Sequence, residues 1–128
     1  IKLLSNALAA ASPEATIILL SRCHDGFGDA DCQSQICDFS SMEERERALR
    51  TDFSIGAYVG FLFAEAAEKH KLILVTDMAP DNFIRTDIKA VRTLDEALEA
   101  ARTLNGGTLD MKTILMPHGA STLPKVGN

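Results

Sequence analysis

Positive charge is scarce in this chain. Of 128 residues, 13 are Lys or Arg and 18 are Asp or Glu, for a net charge of −5. A nucleic-acid surface shows clustered Lys and Arg, so that class of partner is not expected. No run of about 18 apolar residues occurs, so no membrane span is expected. Cysteine is limited to three residues, an odd number that fits no disulfide framework. A reducing compartment, the cytoplasm, is the expectation. Three catalytic or metal signatures are also missing: there is no G-x-S-x-G, no H-E-x-x-H and no C-x-x-C pair.

What remains is ordinary for a soluble globular protein, with 46% hydrophobic and 24% charged residues. The length suits one domain with a layered core. The chain opens at Ile1 and enters a helical pattern at once, with Leu3, Leu4, Ala7, Leu8 and Ala11 on one face. An amphipathic helix accounts for this better than a signal peptide, because Ser5 and Asn6 break the apolar run. With no capping residue before that helix, residues 1–128 read as a single α/β domain and as a piece of a longer protein.

Two continuous apolar runs, ATIILLS (15–21) and KLILVTD (71–77), read as strands buried on both faces. Residues 88–91 and KTILM (112–116) are two further candidates. Between them lie helical patterns at 29–37, 42–50, 54–70 and 94–104. Ser41/Glu44 and Thr93/Glu96 have the spacing of capping boxes. Glu43/Arg47 and Glu46/Arg50 are spaced as ion pairs on a solvated helix face. Strands alternating with helices predict a three-layer α/β sandwich: a mostly parallel sheet of about four strands with helices on both faces.

In such sheets ligands bind beyond the carboxyl ends of the strands. The first strand runs into Arg22-Cys23-His24-Asp25-Gly26, the second into Thr76-Asp77, and the last into Pro117-His118-Gly119. His24, Asp25, Asp77 and His118 are therefore candidates to converge. Each has a plainer role open to it: a helix cap for His24, a turn for Asp25-Gly26, a turn cap for Asp77, and a bend held by Pro117 and Gly119 for His118. Gly26-Phe27-Gly28 has two glycines of a dinucleotide turn, but position 31 is Asp31 where the third belongs. Asp29 and Asp31 would also repel a pyrophosphate. Cys23, His24, Cys32 and Cys37 match no zinc spacing, so no metal site is expected and the roles of the three thiols stay open. No nucleophile–base–orienter set emerges, and no catalytic residue is assigned on this chain.

The order of motifs resembles one family. A strand ending in 21-SRCHDGFG-28 comes first, then 54-SIGAYVGFLFAEAAEKHKLILVTD-77, then 117-PHGASTLP-124. Together these resemble the C-terminal domain of the nickel-pincer lactate racemase family. The resemblance implies a 2-hydroxyacid racemase or epimerase in which an N-terminal domain holds a nickel-pincer pyridinium cofactor and the paired catalytic histidines. This chain would then be the cleft-closing domain, inactive alone and holding no cofactor itself. Its partners would be that N-terminal domain and a small 2-hydroxy acid. The resemblance also implies that Lys2 matches a lysine contacting substrate or cofactor. It places Tyr58 near a tryptophan packed by the cofactor, and His24 where lactate racemases often have Asn. The substrate- or cofactor-facing candidates are thus Lys2, His24, Asp25, Tyr58 and His118, with Gly26, Gly28, Pro117 and Gly119 shaping loops. The alternative is a non-catalytic α/β module that binds a nucleotide or a protein partner through the loop edge at 22–29.

Overall fold

The computed structural model describes residues 1–125 and residue 127. The two apolar runs form its centre. Thr16–Leu20 is β1 and Lys71–Val75 is β2, and they pair in parallel from Thr16 with Lys71 to Leu20 with Val75. Lys89–Val91 is β3, parallel to β2 from Ile73 with Lys89 to Val75 with Val91. The order is β1-β2-β3. β2 is central and accordingly the most apolar, with Leu72, Ile73 and Leu74 all buried.

Alternation along the strands splits the core into two layers. Ile17, Leu19, Leu72 and Leu74 point to one face, where they meet Leu4, Ile36, Ala64 and Ala67. These belong to α1 (Lys2–Ala10), α2 (Ala30–Cys37) and α4 (Ile55–Lys69). Ile18, Ile73, Val75 and Val91 point the other way, against Ala97 and Ala101 of α5 (Leu94–Leu104). The three-layer expectation holds, with helices on both faces of a parallel sheet. A further helix, α3 (Met42–Thr51), packs on α4.

Caps set the helix starts, at Ser41 and Thr93 as expected and at Ser54 as well. Ser41 Oγ accepts from Glu44 N, Ser54 Oγ from Ala57 N, and Thr93 Oγ1 from Glu96 N. The Glu96 carboxylate closes its box on the Thr93 N–H. The Glu44 carboxylate instead reaches one residue further back, to the Ser40 N–H at 2.8 Å.

Small residues let α2 and α4 pack closely. A Cβ on Gly60 would lie 2.7 Å from the Cys32 carbonyl oxygen, and one on Gly56 would lie 1.8 Å from Asp29 Oδ1. α4 runs directly into β2, so its start lies toward the carboxyl edge of the sheet. α1 runs beside it in the same sense, because the groove between them meets Ile1, Leu4 and Leu62 along its length and Pro13, Glu14, Lys69 and His70 at its end.

One expectation is corrected. Among the described residues the sheet has three strands, not about four: KTILM (112–116) pairs with no strand. Local bonds curl the chain just before it, Asp110 N to Thr108 Oγ1 and Met111 N to the Leu109 carbonyl. The two ion pairs expected on α3 do form on its solvated face, Glu43–Arg47 at 2.8 Å and Glu46–Arg50 at 2.7 Å. Arg45 between them is 3% exposed. Its guanidinium donates to the carbonyls of Gln35, Phe39 and Arg85 at 2.9, 2.7 and 2.6 Å.

Candidate functional site at the carboxyl edge

Three strand ends and two helix starts meet at one edge. Backbone bonds build it. Ser21 N donates to the Val75 carbonyl, Asp77 N and Thr76 Oγ1 both donate to the Arg22 carbonyl, and Arg92 Nη1 donates to the Asp77 carbonyl. Thr76 is buried, and its hydroxyl also accepts from Met78 N at 3.3 Å. Thr76, rather than Asp77, thus caps the turn before Pro80.

The loop after β1 takes its shape from backbone conformation. Cys23, Gly26 and Gly28 have φ of 54°, 63° and 70°. The two glycine positions have open space around a would-be Cβ, so the left-handed backbone and not room demands glycine there. Gly26 N bonds the Cys23 carbonyl and Gly28 N the Asp25 carbonyl, at 2.9 and 3.1 Å. Phe27 anchors the loop against Phe83, ring centroids 5.8 Å apart. Asp29 then caps α2, its Oδ1 accepting from Asp31 N and Cys32 N. Asp31 in turn accepts from Ser54 Oγ at 2.7 Å, joining the starts of α2 and α4.

This geometry bears on a phosphate cradle. Such a cradle needs free N–H donors at the turn and the helix start. Here the Gly26 and Gly28 donors are already bonded, and the first turn of α2 is occupied by a carboxylate.

The candidate side chains divide into two groups. His24 and Asp25 are exposed on the loop. Tyr58, on the first turns of α4, is 44% exposed and tilts against Phe53 at 6.1 Å. Lys2 and His118 gather instead around α1. Lys2 opens that helix and is exposed. Asn6 Nδ2 donates to the Gly119 carbonyl at 2.8 Å, and a Cβ on Gly119 would lie 2.5 Å from Leu3 Cδ1. Gly119 therefore serves close approach to α1 and has no left-handed φ. His118 follows a bend and not a strand. Its carbonyl accepts from Ser121 N, Ser121 Oγ and Thr122 Oγ1, winding the turn Gly119–Ser121, while Pro117 stands exposed before it.

Sequence reasoning passed over Arg22 and Arg92, which directly follow β1 and β3. The rule that singled out Asp77 after β2 applies equally to them. It also passed over the Gln35–Arg45 pair, which shows no apolar period: Gln35 Nε2 donates to the Arg45 carbonyl while Gln35 Oε1 is buried without a partner.

The thiols are all free. Burial, and then the nearby Asp29 charge, pushes the Cys32 thiol up; burial and then Asp38 do the same for Cys37. Both are thereby disfavoured as thiolate nucleophiles or metal ligands. Among the described residues, no group of three or more His, Cys, Asp or Glu is placed to hold a metal ion. No helix among them is long and apolar enough to cross a membrane.

Fold and site together define a class: a three-layer α/β domain with a parallel sheet, whose carboxyl edge presents exposed polar side chains without a complete catalytic set. Family comparison makes this specific. The chain belongs to the lactate racemase C-terminal domain family, which it matches over residues 1–123. No curated protein and no solved structure matches it.

Proposed function

We propose that this chain is the cleft-closing C-terminal domain of a cytoplasmic, nickel-pincer-dependent 2-hydroxyacid racemase or epimerase, inactive by itself. The family match over residues 1–123 carries the reading. The carboxyl edge supports it, because the exposed side chains of His24, Asp25 and Tyr58 take part in no hydrogen bond among the described residues.

The family implies a nickel-pincer cofactor in the parent protein. Among the described residues the donors do not fit a metal centre, since His24, Cys23, Cys32 and Cys37 form no ligand cluster. The cofactor and the acid–base histidines are therefore assigned to the partner N-terminal domain, and no step is derived through them.

What this chain contributes is recognition and enclosure. The Lys2 ammonium, free at the start of α1, is suited to a substrate carboxylate, a charge-assisted bond. His24 and Asp25 on the glycine loop, and Tyr58 on the first turns of α4, are assigned to one wall. His118 approaches from the α1 side. Closing this wall over the cleft excludes water, which strengthens every electrostatic contact inside.

The test is Cα epimerisation of a panel of 2-hydroxy acids by the full-length, cofactor-loaded parent protein. Turnover of at least one acid is expected, with none from residues 1–128 alone. Activity in the isolated domain would refute the division of labour. A parent that lacks both nickel cofactor and turnover would refute the family chemistry.

A further inference from the structure

Arg92 leaves β3 with backbone and side chain both fixed. The carbonyl of Val91, the last residue of that strand, accepts from Thr76 N at 2.9 Å. The Glu96 carboxylate takes the Arg92 N–H at 2.7 Å as it caps α5. From that anchor the side chain crosses to the exit of β2, the central strand, where Nη1 donates to the Asp77 carbonyl. The Asp77 N–H in turn bonds the Arg22 carbonyl, at the start of the loop after β1. One guanidinium is thus held at the exit of β2, a single residue's backbone away from the loop that carries His24 and Asp25.

Only one arm of that guanidinium is in use. Nε and Nη2 make no hydrogen bond among the described residues, and these two form an edge that takes both oxygens of a carboxylate. No acid group neutralises the charge either. The ion pairs among the described residues use Arg47, Arg50, Lys69 and Arg102. Asp77 offers Arg92 its carbonyl, yet its carboxylate forms no pair with the guanidinium, and neither does that of Asp25. Arg92 is exposed, so the unused donors are accessible. A side chain already ordered by the fold loses less freedom on meeting an anion than a mobile one does. Lys2, by contrast, has no side-chain bond among the described residues to order it.

We propose that Arg92 is a specificity-determining residue that binds the carboxylate of the 2-hydroxy acid through its free Nε–Nη2 edge. The identity of the acid rests on the racemase reading, whereas the anion site rests on the geometry alone. Set on the Asp77 carbonyl, the planar fork fixes the plane of the carboxylate and with it the orientation of the adjoining Cα, which a lone ammonium cannot do. A carboxylate has about four acceptor sites, so Arg92 does not displace Lys2 from the same role.

Kinetics of the full-length, cofactor-loaded parent on the 2-hydroxy acid that it turns over test the role. Arg92→Gln is expected to raise KM by about 10–100-fold, the size of a hydrogen bond to a charged group, with nickel content and thermal unfolding unchanged. Arg92→Lys should recover only part of the loss, because it keeps the charge without the fork. Free guanidinium added to Arg92→Ala should lower KM again, a response that a merely structural role would not give. An unaltered KM in Arg92→Gln, or a raised one that guanidinium leaves unchanged, would overturn the proposal. So would a fall in nickel content, by assigning the fork to an anionic group of the cofactor. A parent with no turnover refutes the racemase reading instead, and the site is then read on this chain by nuclear magnetic resonance. The Arg92 Nε–H signal should move with lactate and not with neutral lactamide. No movement, or equal movement with both, would overturn the anion site itself.

Discussion

Replacing Gly60 with alanine sets two effects of known size against each other. Glycine within a helix is less favourable than alanine by about 1 kcal/mol, so propensity alone predicts that Gly60→Ala stabilises α4. The packing predicts the reverse. The new Cβ would lie 2.7 Å from the Cys32 carbonyl oxygen, 2.7 Å from Gln35 Cβ and 3.2 Å from Cys32 Cα. Comfortable contacts begin near 3.5 Å, so α2 must retreat by roughly 0.7 Å. Two of the three neighbours are backbone and cannot rotate aside, and retreat loosens a helix pair that shares the core. Overpacking of this kind costs about 1–3 kcal/mol, and backbone neighbours put it at the upper end. The net expectation is a loss of about 1–2 kcal/mol, a fall in Tm of roughly 3–8 °C for a domain of this size. Urea unfolding followed by circular dichroism measures it, with the slope unchanged. A midpoint equal to or above that of the unaltered chain would refute the reasoning, and with it the close approach of α2 and α4.

Three further outcomes follow from the same structure. Arg45→Met keeps the apolar stem and removes the donors to three carbonyls; orphaned acceptors outweigh the relief of a buried charge, giving a loss of about 2–4 kcal/mol by denaturant titration. The Glu44 carboxyl is held below its usual range chiefly by the Ser40 N–H. Its contribution is therefore complete above the ordinary Glu range near about 4.3 and is lost as pH falls through the lower folded value. The urea midpoints of the unaltered chain and Glu44→Gln should differ at neutral pH and converge as pH falls below the ordinary Glu range, and a gap that does not narrow would refute the assignment. In the full-length parent, Lys2→Ala should lower kcat/KM for a 2-hydroxy acid by roughly 10–100-fold, the size of one charge-assisted bond, while thermal unfolding is unchanged; equal kinetics would remove Lys2 from the cleft.

Much of this fold could be read from the chain because its signals are local. Thr16–Leu20 and Lys71–Val75 declare burial on both faces by composition alone, and Ser41, Ser54 and Thr93 mark helix starts by side chains that bond within three residues. KTILM carries the same apolar signal as β2, but a strand exists only where a neighbour offers backbone groups, and one run cannot state that. The burial of Arg45 was not legible for a related reason: its three acceptors come from α2, the following turn and the Arg85 region, which only folding brings together. At the edge, the loop after β1 was legible as a tight turn. Asp29 was not legible as a cap, because its role depends on where α2 begins. That His118 bends against α1 also needed three dimensions, since Asn6 and Gly119 are 113 residues apart.

The loop at 22–29 has a consequence for how such a domain can change. Its course is set by φ at Cys23, Gly26 and Gly28, by the Phe27–Phe83 stack and by the Asp29 cap. His24 and Asp25, the two residues most open at its tip, take no side-chain part in any of this. The scaffold and the reading head are thus separable. Mutation can rewrite the two exposed positions without touching the bonds that shape the loop. A lineage with this loop is free to vary its tip while selection for stability acts on its hinges.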